Sequence, residues 1–116
     1  MILRMRLRVK CWVVLSEDVK FGEGRAELLE LIDRLGSIKQ AVVRLGMSYR
    51  SAWGYIEALE EAAGFEFLKR TPGGGARSGA RLTIKGRAFV ARYRRLAKTV
   101  DGPAQAGFER IFPEST

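Results

Sequence analysis

Histidine is absent from this sequence of 116 residues, and cysteine occurs once, as Cys11. Without histidine the chain lacks the side chain that most often transfers protons in enzymes, and an intrachain disulfide would need a second cysteine. A zinc site is not expected either, because zinc in proteins is held mainly by cysteine and histidine. We predict no metal and no cofactor. Since no other residues form a catalytic pattern, we also predict that the chain is not an enzyme.

Long hydrophobic runs are also missing. No segment approaches the roughly 18 apolar residues that a transmembrane helix requires, and the N-terminus alternates basic and apolar residues instead of forming the unbroken apolar segment of a signal peptide. We therefore expect a cytoplasmic protein without membrane contact. With 47% hydrophobic residues, a chain of this length suits one packed domain.

Acidic residues are scarce relative to basic ones: there are 13 acids and 21 bases, giving a net charge of +8. The excess lies mainly in residues 62–100, which contain ten bases and Glu66 as their one acid. A charge of this size favours a polyanionic partner, although charge alone does not distinguish nucleic acid from a membrane surface.

The N-terminal residues 3–15 alternate in a period of two, which predicts a half-buried strand. Residues 19–21 are predicted to return as a second, short strand. Cys11 falls on the inward face and is expected to be a small buried apolar residue. The outward row of bases fits either a solvated face or a phosphate contact; we favour the solvated face slightly, because charges protect sheet edges.

Residues 25–35 predict an amphipathic helix with Glu27, Glu30 and Asp33 pointing outward. An acidic face argues against placing this helix on DNA. A supporting or dimer-forming helix fits better.

Residues 36–64 predict two helices joined by a tight turn. Ser37 and Ser48 are suited to cap the two helices, and Gly46 stands where a left-handed residue ends the first one. A short helix, a glycine-containing turn and a second helix form a helix-turn-helix. The exposed face of the second helix would carry Tyr49, Arg50, Ser51, Gly54 and Glu57, a set suited to the major groove of DNA. An ordinary helical hairpin is the alternative.

A wing is predicted next. Residues 65–71 and 80–82 are expected to be strands around a glycine-rich loop, and Thr83 is expected to cap a basic helix over 84–100 that ends at Asp101, Gly102 and Pro103. The predicted fold class is α+β: a winged helix-turn-helix with an N-terminal β-hairpin and a C-terminal dimerisation-type helix. Residues 1–100 would form the DNA-binding domain and residues 101–116 a short tail, anchored to the core or to a second subunit by Phe108, Ile111 and Phe112.

Several motifs together resemble the N-terminal DNA-binding domain of the molybdate-dependent transcriptional regulators, the ModE family. They are GEGR at 22–25 with Leu28, Leu29 and Ile32, GSI at 36–38, GMSYRSAW at 46–53, RTPGG at 70–74, GARLT at 79–83, and Gly86. The resemblance covers roughly residues 8–100. A weaker likeness to LysR-type winged helices runs through residues 56–68. Full-length ModE proteins carry C-terminal molybdate-binding domains that have no counterpart in this sequence, so we do not extend molybdate sensing to it.

The resemblance implies a homodimer that binds an inverted repeat in double-stranded DNA. Helix 48–63 would enter the major groove and the wing at 72–81 would lie on the backbone or minor groove. Tyr49, Arg50 and Ser51 are expected to contact base edges; the residues expected at phosphates or in the minor groove are Ser48, Lys39, Gln40, Lys69, Arg77, Arg81 and Lys85. Trp53 lies at the border between the core and the DNA face, and we favour a structural role, in which it seals the helix against the wing, over a contact with DNA.

Two further hypotheses stay open. One is a protein-interaction module that keeps the winged fold and has only nonspecific DNA affinity; the acidic first helix and the apolar tail motivate it. The other is a small-molecule or oxyanion sensor in one short domain, which would need a pocket that the sequence does not reveal.

Overall fold

The computed structural model describes residues 4–71 and 79–115. Within this part of the chain, two antiparallel hairpins and four helices follow one another. The strands are β1 (Val13–Leu15), β2 (Val19–Phe21), β3 (Leu68–Thr71) and β4 (Gly79–Leu82); the helices are α1 (Glu23–Leu35), α2 (Ile38–Leu45), α3 (Tyr49–Ala63) and α4 (Ile84–Ile111). This order confirms the predicted α+β winged helix-turn-helix with an N-terminal hairpin.

Local preferences build the turn between α2 and α3. The hydroxyl oxygens of Ser37 and Ser48 accept hydrogen bonds from the backbone N–H groups of Gln40 (3.1 Å) and Ser51 (3.0 Å), and these bonds cap the two helices. Gly46 ends α2 with φ at +66°, in the left-handed region that glycine enters without steric cost. The predicted helix-turn-helix is therefore confirmed at both caps and at the turn.

The core is centred on the fully buried side chain of Phe67, just before β3. Its ring stacks on Phe65 with 4.6 Å between centroids and meets the edge of Phe89 at 5.3 Å. Phe21, at the end of β2, lies 6.4 Å from the Phe67 ring and packs edge to face against Phe89 and Tyr93. One aromatic cluster thus joins the first hairpin, the entry to the second and α4, and each such pair adds about 0.5–1.5 kcal/mol beyond its burial.

The backbone of Phe67 is held by α3 and by the start of α4. Its N–H donates to a carboxylate oxygen of Glu60 on α3 at 2.7 Å, and its carbonyl oxygen accepts from the N–H of Thr83 at 3.0 Å. Gly86 lies so close that a Cβ at this position would come within 2.6 Å of the Phe67 carbonyl oxygen. The contact between α4 and the base of the hairpin therefore requires glycine at position 86.

A second carboxylate, that of Asp33 on α1, fixes β4. It accepts from the N–H of Leu82 at 3.0 Å and from the Arg87 guanidinium at 2.6 and 3.2 Å. Burial opposes ionisation, but the hydrogen bonds from Arg87 and Leu82 and the charges of Arg87 and Arg81 outweigh it, so the pKa of Asp33 lies below its ordinary value.

The acids of α1 are turned toward α4 more than expected. Arg94 pairs with Glu30, with its shortest contact at 2.5 Å, and with Glu23. The hydrogen bond to Glu30 in particular raises the pKa of Arg94 above its ordinary value, so this guanidinium stays charged. Of the three acids predicted to point outward, Glu27 is exposed, and the Glu30 side chain is 41% exposed although it pairs with Arg94. For Asp33, whose side chain is 17% exposed, the prediction is wrong because Arg87 of α4 engages it.

The predicted strand over 3–15 is wrong in its length. In the described chain, pairing starts only at Val13, because β2 offers three residues in the register Val13↔Phe21, Val14↔Lys20 and Leu15↔Val19. Residues 4–12 have no assigned strand or helix, yet they keep the predicted alternation: odd-numbered residues are half-buried and even-numbered ones exposed.

This N-terminal segment runs along α4. The carbonyl oxygens of Leu7 and Cys11 accept hydrogen bonds from the Gln105 amide and the Tyr93 hydroxyl, both at 2.9 Å. Burial, followed by the interaction with Cys11, raises the pKa of Tyr93. The side chains of a helix thus satisfy backbone groups that a neighbouring strand would have paired.

Helix α4 continues beyond the predicted end at residue 100, with Pro103 inside it. Proline removes one N–H and crowds the carbonyl of Thr99, but Gly102 before it has no Cβ to clash with the proline ring. The 28 residues of α4 span about 42 Å.

The division into residues 1–100 and a tail at 101–116 stays a prediction. None of the described helices combines the length and apolar character needed to cross a membrane.

Asp33→Asn tests the attachment of β4 to α1. Because the pKa of Asp33 is depressed in the folded state, its charge stabilises the fold above the ordinary pKa of 3.8, and this stabilisation is lost as the pH falls through the folded-state pKa. We expect the variant to lose about 1–2 kcal/mol in free energy of unfolding at neutral pH, measured by urea denaturation, and less at about pH 3.

Glu27→Gln is the control, since Glu27 is exposed on the same helix and forms no ion pair with the described residues. It should change the free energy of unfolding by no more than about 0.5 kcal/mol. An equal loss for Asp33→Asn at both pH values would contradict the stabilising role of its charge.

Candidate nucleic-acid interface

Three helices begin in the same way. Each has a hydroxyl N-cap followed two residues later by a base: Ser37 and Lys39 on α2, Ser48 and Arg50 on α3, Thr83 and Lys85 on α4. None of these three first turns contains an acid, whereas α1 begins with Glu23. The positive end of a helix dipole disfavours a cation by about 0.3–1 kcal/mol. The three turns therefore present positive charge that no acid of the same turn compensates, as in helix N-termini that bind anions.

The first turn of α3 is the most exposed of these arrangements. Tyr49, Arg50 and Ser51 are all exposed, as are Gly54 and Glu57 further along the same face, so the predicted outer face is confirmed. The opposite face buries Ala52, Ile56 and Leu59. Among the described residues no hydrogen-bond acceptor or acid pairs with the Arg50 guanidinium. The Ser48 hydroxyl donates to that of Ser51 at 2.8 Å while it caps the helix.

Trp53 joins this turn to the wing. It is half-buried and packs against the core, its ring meets that of Tyr49 edge to face at 6.3 Å, and the Arg70 guanidinium lies 4.3 Å from its centroid. Arg70 also donates to the Tyr49 hydroxyl oxygen at 3.1 Å. The expectation that Trp53 seals the helix against the wing is confirmed. Arg70 was not predicted as a site residue, although its spacing of two from the inward Leu68 places both side chains on the same face of the strand.

The outward face of the β3–β4 hairpin carries two bases. Lys69 and Arg81 are directly opposite in the antiparallel register and both are exposed. Like charges at such a position destabilise a sheet. Arg77 and the rest of the wing tip, residues 72–78, lie outside the described residues.

The other predicted contacts lie at the starts of neighbouring helices. Lys39 and Gln40 are exposed on the first turn of α2. Lys85 lies on the first turn of α4, and its ammonium is 6.0 Å from the centroid of the Phe65 ring. The structure therefore brings together Ser48, Tyr49 and Ser51, and separately Lys69 and Arg81. It shows no side-chain contact that joins Lys39, Gln40 or Lys85 to either group within the described chain.

We call the exposed first turn of α3 together with the outward face of the hairpin the candidate interface.

A cleft of about 580 Å³ lies elsewhere, between the N-terminal segment and α4. Residues 8–12, the start of α1 and α4 between Tyr93 and Asp101 line it. None of the lining residues belongs to α2, α3 or the second hairpin. The cleft is therefore distinct from the candidate interface.

Curated relatives match the winged region. The chain is 40% identical over 95 residues to the molybdenum transport protein ModE of Azotobacter vinelandii, a match that covers 82% of this chain and 33% of the relative. It is 35% identical over 94 residues to the DNA-binding transcriptional dual regulator ModE of Escherichia coli K12, covering 81% and 36%. The chain thus spans about a third of the length of these relatives. They confirm the resemblance to the ModE proteins.

Solved structures support the fold. The DNA-binding domain in the crystal structure of the CbnR_DBD–DNA complex superposes with a TM-score of 0.60 at 22% identity, covering 76% of this chain and 95% of that one. At this identity the likeness establishes the winged fold alone.

A family comparison gives the most direct assignment. The model described as "Bacterial regulatory helix-turn-helix protein, lysR family" matches residues 25–87. This stretch runs from α1 through the helix-turn-helix and the wing to the first turn of α4, and it is more than half of the 116 residues. The chain therefore belongs to the LysR family of bacterial regulatory helix-turn-helix proteins.

Proposed function

We propose that the chain is a sequence-specific, DNA-binding transcriptional regulator that acts in the cytoplasm as a homodimer on an inverted repeat. Helix 48–63 lies in the major groove and the wing at 72–81 follows the backbone or minor groove. The observation that carries this proposal is the first turn of α3, where a phenol, two serine hydroxyls and an arginine that has no acid partner among the described residues are exposed at the positive end of a helix. Membership in a family of regulators agrees with the prediction that the chain is not an enzyme.

Charge explains why this turn suits DNA. Arg50 is placed at the helix end that the dipole makes unfavourable for a cation, and the described residues give it no acid. Phosphates and the acceptor atoms of guanine supply the missing negative potential, and arginine forms bidentate contacts with guanine O6 and N7. Tyr49 and Ser51 extend the same surface with hydroxyl groups, so we assign base contacts to these three residues.

The phosphate contacts are assigned on similar grounds. The exposed Lys69 and Arg81 repel each other across the hairpin, and a phosphate between them would relieve this repulsion. Lys39, Gln40 and Lys85 lie at helix N-termini, where backbone N–H groups favour phosphate. Ser48 completes the set at the start of α3, and Arg77 at the wing tip stays a prediction.

Dimer formation is supported by α4. Its apolar side chains Leu96, Val100 and Ile111, and Phe112 at its end, are between 40% and 68% exposed. An apolar stripe of this kind on a long helix is typical of an association surface. Two copies joined through α4 would present two α3 helices, and a two-fold dimer matches an inverted repeat.

One of the two observations in favour of a protein-interaction module is explained by contacts within the chain. This hypothesis relied on an acidic first helix, but Asp33 and Glu30 are paired with bases of α4 within the same chain. The apolar residues near the end of α4 are the other support, and dimer formation accounts for them equally well.

Arg50→Ala tests the assignment of base contacts. Fluorescence anisotropy is measured on the genomic duplex that the wild type retains best at moderate salt and on a scrambled duplex. We expect affinity for the retained duplex to fall by about 1–3 kcal/mol and affinity for the scrambled one to change much less. Arg44→Ala removes an exposed arginine from the last turn of α2 and serves as the matched control. Equal losses on both duplexes would contradict a base-contacting role for Arg50.

Lys69→Gln tests the phosphate contact at the hairpin. We expect weaker binding to every duplex and a log–log salt slope that is smaller by about 0.9 for each Lys69 removed, which is about 1.8 for a dimer on an inverted repeat. Because the variant removes a like-charge neighbour of Arg81, its free energy of unfolding should stay equal or rise slightly. A variant with lower stability and an unchanged salt slope would show that Lys69 supports the fold instead of contacting phosphate.

A further inference from the structure

Arg70 is the one arginine of β3, and its guanidinium is already engaged within the protein. It donates to the Tyr49 hydroxyl oxygen at 3.1 Å and lies 4.3 Å from the Trp53 ring centroid. The Tyr49 and Trp53 rings meet edge to face at 6.3 Å. These three contacts form a closed cluster between the wing strand and the first turn of α3.

Strand geometry separates Arg70 from its basic neighbour. Side chains alternate between the two faces of a strand, so Arg70 shares the face of the buried Leu68, while Lys69 points to the opposite face together with Arg81. Lys69 and Arg70, two consecutive bases of β3, therefore have different surroundings. Lys69 has no hydrogen-bond or ion-pair partner among the described residues, whereas Arg70 is stacked on the helix that carries the proposed base contacts.

We propose that Arg70 is a positioning residue that sets the sequence preference of Tyr49. Its N–H occupies the acceptor side of the Tyr49 hydroxyl, so the hydroxyl hydrogen is directed away from Arg70 and toward the groove. Tyr49 then acts as a donor, and it favours base pairs that place an acceptor atom at its position, such as guanine O6 or thymine O4. This inference rests on the proposed function.

The interaction also restricts motion. Tyr49 is 38% exposed, and an exposed side chain of this kind would otherwise sample several rotamers. A stacked guanidinium and a hydrogen bond hold it in one orientation before DNA arrives. Such preorganisation lowers the entropy lost on binding.

The experiment compares Arg70→Lys, Tyr49→Phe and the double variant. Lysine keeps the charge but loses the planar stacking surface and the fork of donors, and phenylalanine keeps the ring but loses the hydroxyl. Anisotropy gives the ratio of affinities for the retained and scrambled duplexes across a salt series. We expect Arg70→Lys to lower this ratio about 3- to 10-fold with an unchanged salt slope, and to have little further effect when Tyr49 is phenylalanine.

A second readout needs no DNA. In a Trp12→Phe background Trp53 is the one tryptophan of the chain, so its emission reports the Arg70 stack directly. We expect Arg70→Lys to shift this emission while Lys69→Gln leaves it unchanged. Together the two readouts separate positioning from a general loss of stability.

The outcomes are distinct. An unchanged ratio for Arg70→Lys, or equal losses on both duplexes with the salt slope reduced as in Lys69→Gln, would overturn the positioning role and leave the proposed function intact. An Arg70→Lys effect of the same size with and without the Tyr49 hydroxyl would also overturn it. A wild type that binds all duplexes alike would instead overturn the proposed function, and the inference with it.

Discussion

The placement of Phe67 is the constraint on which the rest of the structure depends. Its ring lies fully buried among Phe21, Phe65 and Phe89, and its backbone bonds to α3 through Glu60 and to the start of α4. This residue therefore connects the first hairpin, α3, the second hairpin and α4. A shift of Phe67 would change the angle between α3 and the wing, which are the two elements proposed to meet DNA.

The same geometry divides the charges of the chain into two groups. Bases of α4 are paired with acids of α1, as in the contacts of Arg87 with Asp33 and of Arg94 with Glu30. The bases at the start of α3 and on the outward face of the hairpin have no such partners among the described residues. A high net charge of +8 is thus partly internal support and partly a surface that favours a polyanion.

The sequence predicts well those features that depend on neighbouring residues. The caps at Ser37 and Ser48 and the turn at Gly46 involve residues within four positions of one another, so local chemistry determines them. The predicted lengths of β1 and α4 are wrong for different reasons. Alternation in the N-terminal segment indicates an extended chain, but it does not show whether a partner strand exists beyond the three residues of β2. Pro103 predicts the end of α4, but the helix continues through it to Ile111.

Contacts between distant residues account for what the sequence could not reveal. Arg70 reaches Tyr49 across 21 positions and Leu82 reaches Asp33 across 49, so no local pattern records either bond. In the candidate interface the exposed α3 residues follow from helical periodicity, whereas the role of Arg70 depends on how the hairpin packs against the helix. The resemblance to the ModE proteins identified the motif RTPGG, but it could not distinguish the proposed phosphate contact of Lys69 from the proposed positioning role of Arg70.

The first turn of α3 is proposed to recognise DNA sequence through a pair of half-sites. The most direct measurement is selection of the wild-type protein on a pool of random duplexes at increasing salt, followed by sequencing of the bound fraction. We expect one motif arranged as an inverted repeat, with a half-site spacing near one helical turn or a multiple of it, and stronger enrichment as salt removes nonspecific binding. A bound fraction without a common motif, which disappears as salt rises, would contradict the account.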